Sequence, residues 1–260
     1  MKLLNRKIQS MIKLLKIELQ KLKPYTIFWL FNGMYAVLLF GAYYLMKKFT
    51  ESPEFPDGFP LNWQRLTWIA GFLNPFLVLI VILFTTNEYT FNTFRQNVID
   101  GLSRTEVFMS KVIVHIIISL YSTILVVLLG TLFSALFSKA FTPENYFHDF
   151  YYIGIHFLKC FTFLSIAYAL SLLFKKGIIT IIMLIILYIG DGIVSGVTSN
   201  EAFDLLPFAS MSNLIASPDF AMFFGTISID KSVIIAVVIA YLVLFNVGSW
   251  FLLNKRDMKG

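Results

Sequence analysis

Two apolar runs joined by a charged connector decide the fold of this chain: "FLVLIVILFTTNEYTFNTFRQNVIDGLSRTEVFMSKVIVHIIISL", residues 76–120. A helix needs about 20 mostly apolar residues to cross a bilayer, and the run on each side of the connector extends to that length. Residues 95–111 carry five charged side chains, and Glu88 lies just upstream of them. The pattern predicts two membrane-spanning helices that a charged, structured connector separates.

The composition of the whole chain is typical of a membrane protein. Of 260 residues, 58% are hydrophobic and 14% are charged, and the mean hydropathy is +0.76. Soluble domains carry about a quarter charged residues. The net charge of +6 could suggest nucleic acid, but the positive residues follow the membrane boundaries, so no nucleic-acid partner is predicted. The single cysteine, Cys160, excludes a disulfide within the chain, and no Cys/His spacing indicates a metal site.

Six segments are long and apolar enough to span a bilayer. They lie near residues 26–46, 66–86, 112–137, 150–174, 177–198 and 232–253. Their continuous rather than alternating apolarity favours helices over a barrel. The sequence therefore predicts an all-α membrane protein, with an N-terminal segment over residues 1–24 and one six-span domain over residues 25–260.

The Lys and Arg residues predict the orientation of the spans. With the N-terminus in the cytoplasm, fifteen of them fall in cytoplasmic segments and five in outer segments, while Lys159 lies within a span. Both termini are therefore predicted to be cytoplasmic. Residues 1–24 lack a compact apolar core with a cleavage site, so the first span is expected to remain in the protein.

The N-terminal segment has an amphipathic pattern. On a helical wheel its apolar residues form one stripe, Ile8, Met11, Ile12, Leu15, Leu19 and Leu22. This pattern predicts a helix on the inner membrane surface that ends before Pro24. A basic anchor that only sets orientation is the alternative.

The last outer connection, residues 199–231, is long and partly apolar. Pro207 and Pro218 divide it into pieces too short to span the bilayer. Such pieces are typical of re-entrant or interfacial helices. An ordinary surface loop is the alternative.

The connector has the signals of two helices with a turn between them. Asp100-Gly101 is a turn signal, and Ser103 with Glu106 forms a capping box for a helix that continues through Lys111. Before the turn, apolar residues recur at helical spacing, Tyr89, Phe94, Val98 and Leu102. A structured cytoplasmic protrusion of this kind is a docking surface for a soluble partner. A solvated loop is the alternative.

At this connector the chain resembles the permease subunits of ATP-binding-cassette (ABC) transporters of the type 2 exporter family. That family carries a Glu after the second span, then an Arg, a Ser-Arg pair and a Lys. The matching residues here are Glu88, Arg95, Ser103, Arg104 and Lys111. The layout of six spans with an amphipathic N-terminal helix and a Lys255-Arg256-Asp257 ending is similar as well.

The resemblance implies a half-transporter in a bacterial cytoplasmic (inner) membrane. It would pair with a second permease chain, identical or paralogous, and each half would rest on a soluble ABC ATPase subunit. The connector would be a coupling helix, with Glu106 joining the five matching residues in transmitting motion. The sequence has no G-x-x-x-x-G-K-[ST] loop. This chain is therefore expected to be non-catalytic and to bind no cofactor, with ATP and Mg on the partner ATPase.

Three ionisable residues lie inside the predicted spans and are candidates for a substrate path: His156, Lys159 and Asp191. His156 and Lys159 lie one turn apart on the fourth span. Lys159 and Asp191 are at matched depth, about 24 Å from the turn between the fourth and fifth spans. Gly190 and Gly192 leave room for a close helix approach. A Lys–Asp ion pair and a polar substrate path both remain open.

Two other functional classes fit less well. An intramembrane enzyme would need a catalytic set such as H-E-x-x-H or paired carboxylates, and the sequence has none. An ATP-independent carrier or a structural membrane subunit is the main alternative, although no inverted repeat typical of carriers is detectable. The sequence does not identify the transported substrate.

Overall fold

A computed structural model describes residues 16–18, 20–50, 63–99, 101–137, 146–198, 201–216 and 229–255. Most of the predicted amphipathic N-terminal helix, including Ile8, Met11, Ile12, Leu15 and Leu19, lies outside the described residues. So do Asp100, Pro218, Arg256 and Asp257. Of the N-terminal helix, residues 16–18 and 20–22 are described and helical, and they are called the N-terminal segment below.

Besides the N-terminal segment, the described residues form mainly long helices and two short ones, without a strand in those ranges. The long helices are α1 (Thr26–Thr50), α2 (Trp63–Thr90), α4 (Arg104–Phe137), α5 (Tyr151–Phe174), α6 (Gly177–Val197) and α8 (Lys231–Lys255). The short helices are α3 (Thr93–Ile99) and α7 (Pro207–Asn213), and a 3₁₀ turn, Glu201–Leu205, precedes α7.

The six long helices confirm the predicted six-span, all-α membrane fold. Each is long and apolar enough to cross a membrane and coincides with one predicted segment. At the connector both helices extend beyond the apolar segments: α2 continues to Thr90, and α4 begins at Arg104, directly after the Ser103 cap that the sequence predicts. The helices extend past the apolar runs because polar residues there are satisfied by capping and ion pairing.

Helix α5 is the centre of the bundle and packs against α2, α4, α6 and α8. Small and hydroxylated residues on its buried surface let the neighbouring helices approach closely. Three of these hydroxyls donate to the carbonyl four residues earlier, those of Thr162, Ser165 and Ser171. The Ser165 hydroxyl also accepts a hydrogen bond from the Asn246 side-chain amide of α8 at 3.0 Å. Helices α1, α6 and α8 surround this core and expose apolar side chains on their outer sides.

The bundle has two chemically different ends. The connector end holds the N-terminal segment, α3, the two-residue turn Lys175-Lys176 and the end of α8. The opposite end holds the start of α2, the 3₁₀ turn and α7. There the Trp63 indole donates to the Tyr146 carbonyl at 2.6 Å, and the Lys231 ammonium donates to the Tyr152 hydroxyl at 2.6 Å.

Of the predicted short pieces before the last span, those on either side of Pro207 are described and helical, while the piece after Pro218 lies outside the described residues up to residue 228. Pro207 begins α7 at the position where a missing N–H costs nothing. The 3₁₀ turn ends at Leu205, and Pro207 is the first residue of the next helix. Whether these pieces are re-entrant or interfacial in the bilayer stays a prediction.

We expect Gly130→Ala to destabilise the protein and Gly154→Ala to leave it unchanged or slightly more stable. A Cβ at Gly130 would lie 2.8 Å from Leu66 Cδ1 and 2.9 Å from the Trp63 ring. This ring cannot yield because it packs edge-on against Tyr146 and Phe150. Overpacking of this kind costs about 1–3 kcal/mol.

Nothing lies within 4 Å of a Cβ at Gly154, so there only the gain in helix propensity remains. Thermal unfolding of both variants in detergent measures the difference. Equal midpoints would contradict the packing of α2 against α4 at Gly130.

Candidate functional site

The connector consists of a short helix between two breaks in the backbone. Helix α2 ends at Thr90, and Asn92 adopts a left-handed conformation with φ 55° before α3 begins. Asparagine tolerates this region better than most residues. After α3, Gly101 with φ 94° turns the chain towards α4. The predicted order of helix, turn and capped helix is confirmed.

The predicted capping box closes the start of α4. The Ser103 backbone N–H and hydroxyl donate to Glu106 Oε2 at 2.9 Å and 2.7 Å. The Glu106 backbone N–H donates in return to Ser103 Oγ at 3.2 Å. Both residues therefore shape the connector by satisfying N–H groups that have no helical acceptor.

Arg104 ties the start of α4 to the end of α8. Its guanidinium donates from Nη1 to the carbonyls of Leu253 and Asn254, at 3.1 Å and 2.6 Å. The last carbonyls of a helix lack intrahelical donors and carry partial negative charge, so a cation is favourable there. The bond joins residues 149 and 150 positions apart and holds the last span against the connector.

Helix α3 has a buried side and an exposed side. Phe94 and Asn97 face the bundle, and the Phe94 ring packs on Tyr89 at 4.7 Å. Arg95 points outwards. Two large apolar residues flank it in the chain and are also exposed, Phe91 at 74% and Ile99 at 72%. A cation between two exposed apolar side chains is typical of a protein contact surface rather than of a solvated loop.

Beneath α3 lies a buried cluster of four charged residues from three parts of the chain. Lys111 of α4 is 1% exposed, and its ammonium contacts Glu88 of α2 at 2.6 Å and Glu18 of the N-terminal segment at 2.7 Å. Lys21 reaches the same carboxylates at 3.5 Å and 3.3 Å. Two positive and two negative groups balance, so the cluster places no net charge in the bundle.

The cluster also contacts α3 directly. The Lys21 ammonium donates to the Asn97 side-chain carbonyl at 3.4 Å. The Lys111 ammonium lies 4.5 Å from the centre of the Phe84 ring and 5.7 Å from that of Phe94. These are cation–π distances. A displacement of α3 therefore acts on the cluster through two of its buried side chains.

The pKa of Glu18 shows how the cluster balances burial against charge. Burial alone would raise it, but the attraction of Lys111 and Lys21 and their hydrogen bonds outweigh burial and lower it. Glu18 is therefore ionised at neutral pH.

The six residues predicted to couple the connector to a partner separate into three groups. Glu88 and Lys111 meet in the buried cluster, and Ser103, Arg104 and Glu106 hold α4. Only Arg95 lies on the exposed side of α3. Their role in coupling stays a prediction.

Sequence reasoning missed Glu18 and Lys21, as well as Phe91 and Ile99. Glu18 had a signal, because it occupies the same helical stripe as Leu15 and Leu22, where only apolar residues were expected. A charge on an apolar stripe indicates a buried partner.

The suggested ion pair between Lys159 and Asp191 is not formed. Asp191 Oδ2 accepts the Phe208 backbone N–H at 2.6 Å. This N–H lies in the first turn of α7, where it has no helical acceptor. It therefore binds the carboxylate in place of the Lys159 ammonium. The adjacent glycines do not mediate a close helix approach either, since nothing lies within 4 Å of a Cβ at Gly190 or Gly192.

Lys159 instead extends towards α2, while His156 is directed at α4. His156 is fully buried, and its Nε2 is 2.9 Å from the Ser122 hydroxyl, which in turn contacts the Tyr35 hydroxyl at 2.6 Å. His156 thus belongs to a polar chain that joins α1, α4 and α5. Its predicted part in a substrate path remains a prediction. Within the part of the chain that the structure describes, no three His, Cys, Asp or Glu side chains are grouped to hold a metal ion.

Comparison with models of protein families identifies a family for this chain. A family model described as "ABC-2 family transporter protein" matches residues 14–191, more than half of the chain. The matched region begins just before the N-terminal segment, includes the connector, the charge cluster and the first four spans, and ends within α6, the fifth span. A search among curated proteins finds no match.

We expect Lys111→Met to destabilise the protein strongly, by about 3–5 kcal/mol, because it leaves two buried carboxylates without their shared cation. Adding Glu88→Gln to this variant should restore part of the loss, since the two residues contact each other and their effects are not additive. Thermal unfolding in detergent measures each variant.

Lys16→Met is the matched control, because Lys16 is exposed in the same N-terminal segment. An effect of Lys16→Met as large as that of Lys111→Met would contradict the role of the cluster. So would strictly additive losses in the double variant.

The lowered pKa of Glu18 predicts acid sensitivity. The ordinary value is 4.5, and the folded value lies below it. The stabilisation is therefore fully present above 4.5 and is lost as pH falls through the folded value, where the ion pairs with Lys111 and Lys21 break. Unfolding midpoints measured from neutral to acidic pH should fall less steeply for Glu18→Gln than for the parent. Parallel curves would contradict the assignment.

Proposed function

The chain belongs to the ABC-2 family of transporter proteins, and we propose that it is the permease subunit of an ABC exporter. It is a multi-pass membrane protein with six apolar helices, and its family implies an ATPase partner. In our proposal a separate soluble subunit binds ATP and Mg and hydrolyses ATP. This chain converts the resulting motion into movement of a substrate across the membrane.

The observation that carries the proposal is the exposed side of α3. Arg95 and Ile99 are exposed on α3, and Phe91 is exposed in the turn just before it. Capping and buried contacts hold this short helix in place. An apolar pair around an arginine fits a groove on a soluble protein, because aromatic residues and arginine contribute most to such contacts. We propose that α3 is the coupling helix and that the ATPase subunit receives it in a groove.

The charge cluster supports a route for motion from α3 into the spans. Asn97 and Phe94 contact Lys21 and Lys111, and these lysines join α2, α4 and the N-terminal segment. Arg104 extends the connection to α8. Because the cluster is buried and paired, a push on α3 would move these elements together rather than deform the connector.

The remaining features of the proposal follow from the charge distribution and the family. We place the connector end and both termini in the cytoplasm, where most Lys and Arg residues would then lie. The membrane is the bacterial cytoplasmic membrane. A second permease chain, identical or paralogous, completes the transporter.

Co-expression with its ATPase subunit tests the proposal. We expect Phe91→Ala combined with Ile99→Ala to reduce co-purification of the ATPase while the permease remains folded, because both side chains are exposed and add little to the core. Arg95→Glu should act in the same direction. Size-exclusion profiles and ATP hydrolysis by the complex are the measurements.

Lys255→Ala is the matched control, since it removes an exposed charge at the same end of the bundle. Full ATPase binding by the Phe91, Ile99 and Arg95 variants would contradict α3 as the coupling helix. Robust ATP hydrolysis by the isolated permease would contradict the division of labour between the subunits.

A further inference from the structure

Lys159 lies inside the bundle with its ammonium against the backbone of α2. A Cβ on Gly71 would lie 3.0 Å from Lys159 Nζ and 3.4 Å from Cε, so the absence of a side chain at Gly71 gives the ammonium its place. The lysine lies in the half of α5 nearer to the opposite end of the bundle. It is therefore too deep to belong to the connector.

The Lys159 ammonium faces a groove between α2, α5, α6 and α7. Besides Lys159, its lining includes Trp68, Phe72, Phe163, Tyr188, Phe208 and Ser212. Phe163 and Phe208 form the closed inner side. Phe72 and Tyr188 are 58% and 41% exposed, so the groove opens on the outer surface of the bundle between α2 and α6. Because both helices are membrane spans, this opening lies at the level of the lipid.

Lys159 has no counter-charge in the described part of the chain. No carboxylate or other acceptor there lies within bonding distance of its ammonium. Asp191 is bound to the backbone of Phe208. An unpaired lysine at membrane depth is energetically unfavourable. This cost is offset if an anion from outside the chain occupies the groove.

We propose that this groove binds one anionic, lipid-like amphiphile. Its head group lies on the Lys159 ammonium, and its alkyl chain follows the aromatic walls towards the opening between Phe72 and Tyr188. The Ser212 hydroxyl, also in the groove, is positioned to donate a further hydrogen bond to the head group. The charge complementarity favours an anion, and the aromatic lining with a lateral opening favours an alkyl chain over a water-soluble ligand. The inference does not depend on the ATPase or on transport.

Trp68 in the wall of the groove provides a direct readout. The purified chain in a neutral maltoside detergent is titrated with 12-bromododecyl phosphate, whose bromine quenches a nearby indole. Bromododecyl maltoside is the neutral comparison probe. The difference between the parent and Trp68→Phe isolates the Trp68 signal from the other tryptophans.

We expect the phosphate probe to quench Trp68 at about tenfold lower concentration than the neutral probe, the size of one charge-assisted hydrogen bond. Lys159→Met should remove this preference, and Lys159→Arg should retain it. Lys48→Met is the matched control, because Lys48 is an exposed lysine at the opposite end of the bundle, over the Tyr44 ring.

Three results would overturn the proposal. The two probes could quench Trp68 of the parent equally, a result that needs only the Trp68→Phe comparison and so holds even if Lys159→Met does not fold. Lys48→Met could abolish the preference as completely as Lys159→Met. Inorganic phosphate could displace the phosphate probe at equal concentration, which would mean that the groove binds a free anion rather than an amphiphile.

Discussion

Charge buried in an apolar bundle must be neutralised locally, and the Lys111 ammonium meets this constraint by contacting Glu88 and Glu18 at once. Its environment is otherwise apolar, with the Phe84 ring on one side. The requirement for two carboxylates fixes the N-terminal segment against α2 and α4. It also determines which side of α3 is buried, because the Asn97 side chain accepts a hydrogen bond from the Lys21 ammonium. The contacts of α3 with the buried charge cluster therefore determine which side of the connector is exposed.

Local features were predictable from the sequence, and long-range ones were not. The capping box of Ser103 and Glu106 depends on residues three positions apart, so spacing alone identifies it. The six spans follow from apolar length in the same way. The cluster joins Glu18 to Glu88 and Lys111 across three elements, and no periodicity relates residues so far apart in the chain. Exposure of Phe91 and Ile99 depends likewise on which side of α3 packs.

Lys159 and Asp191 show a more specific limit. Counting residues from a turn gives the depth of a side chain in a bundle, but it does not give the direction in which the side chain points around its helix. Asp191 also accepts a hydrogen bond from the Phe208 N–H at the start of α7, and the depth of Asp191 in the bundle does not predict this donor. Composition alone marks the polar residues inside the spans as unusual, whereas identifying their partners required the fold.

Pro75 lies inside α2 and has no N–H, so the helical hydrogen bond to the Gly71 carbonyl is missing. Helix α2 carries the connector at one end and Trp63 at the other. The missing hydrogen bond at Pro75 makes this position, called the joint below, the place where α2 bends most easily. The lower part, with Glu88, is fastened to the charge cluster, while the upper part is fastened to α4 through Trp63 and Gly130. Bending at the joint costs less than bending elsewhere along α2. The lysine groove lies beside this joint, so a tilt of the lower part would change the width of the groove without disturbing the anchored opposite end.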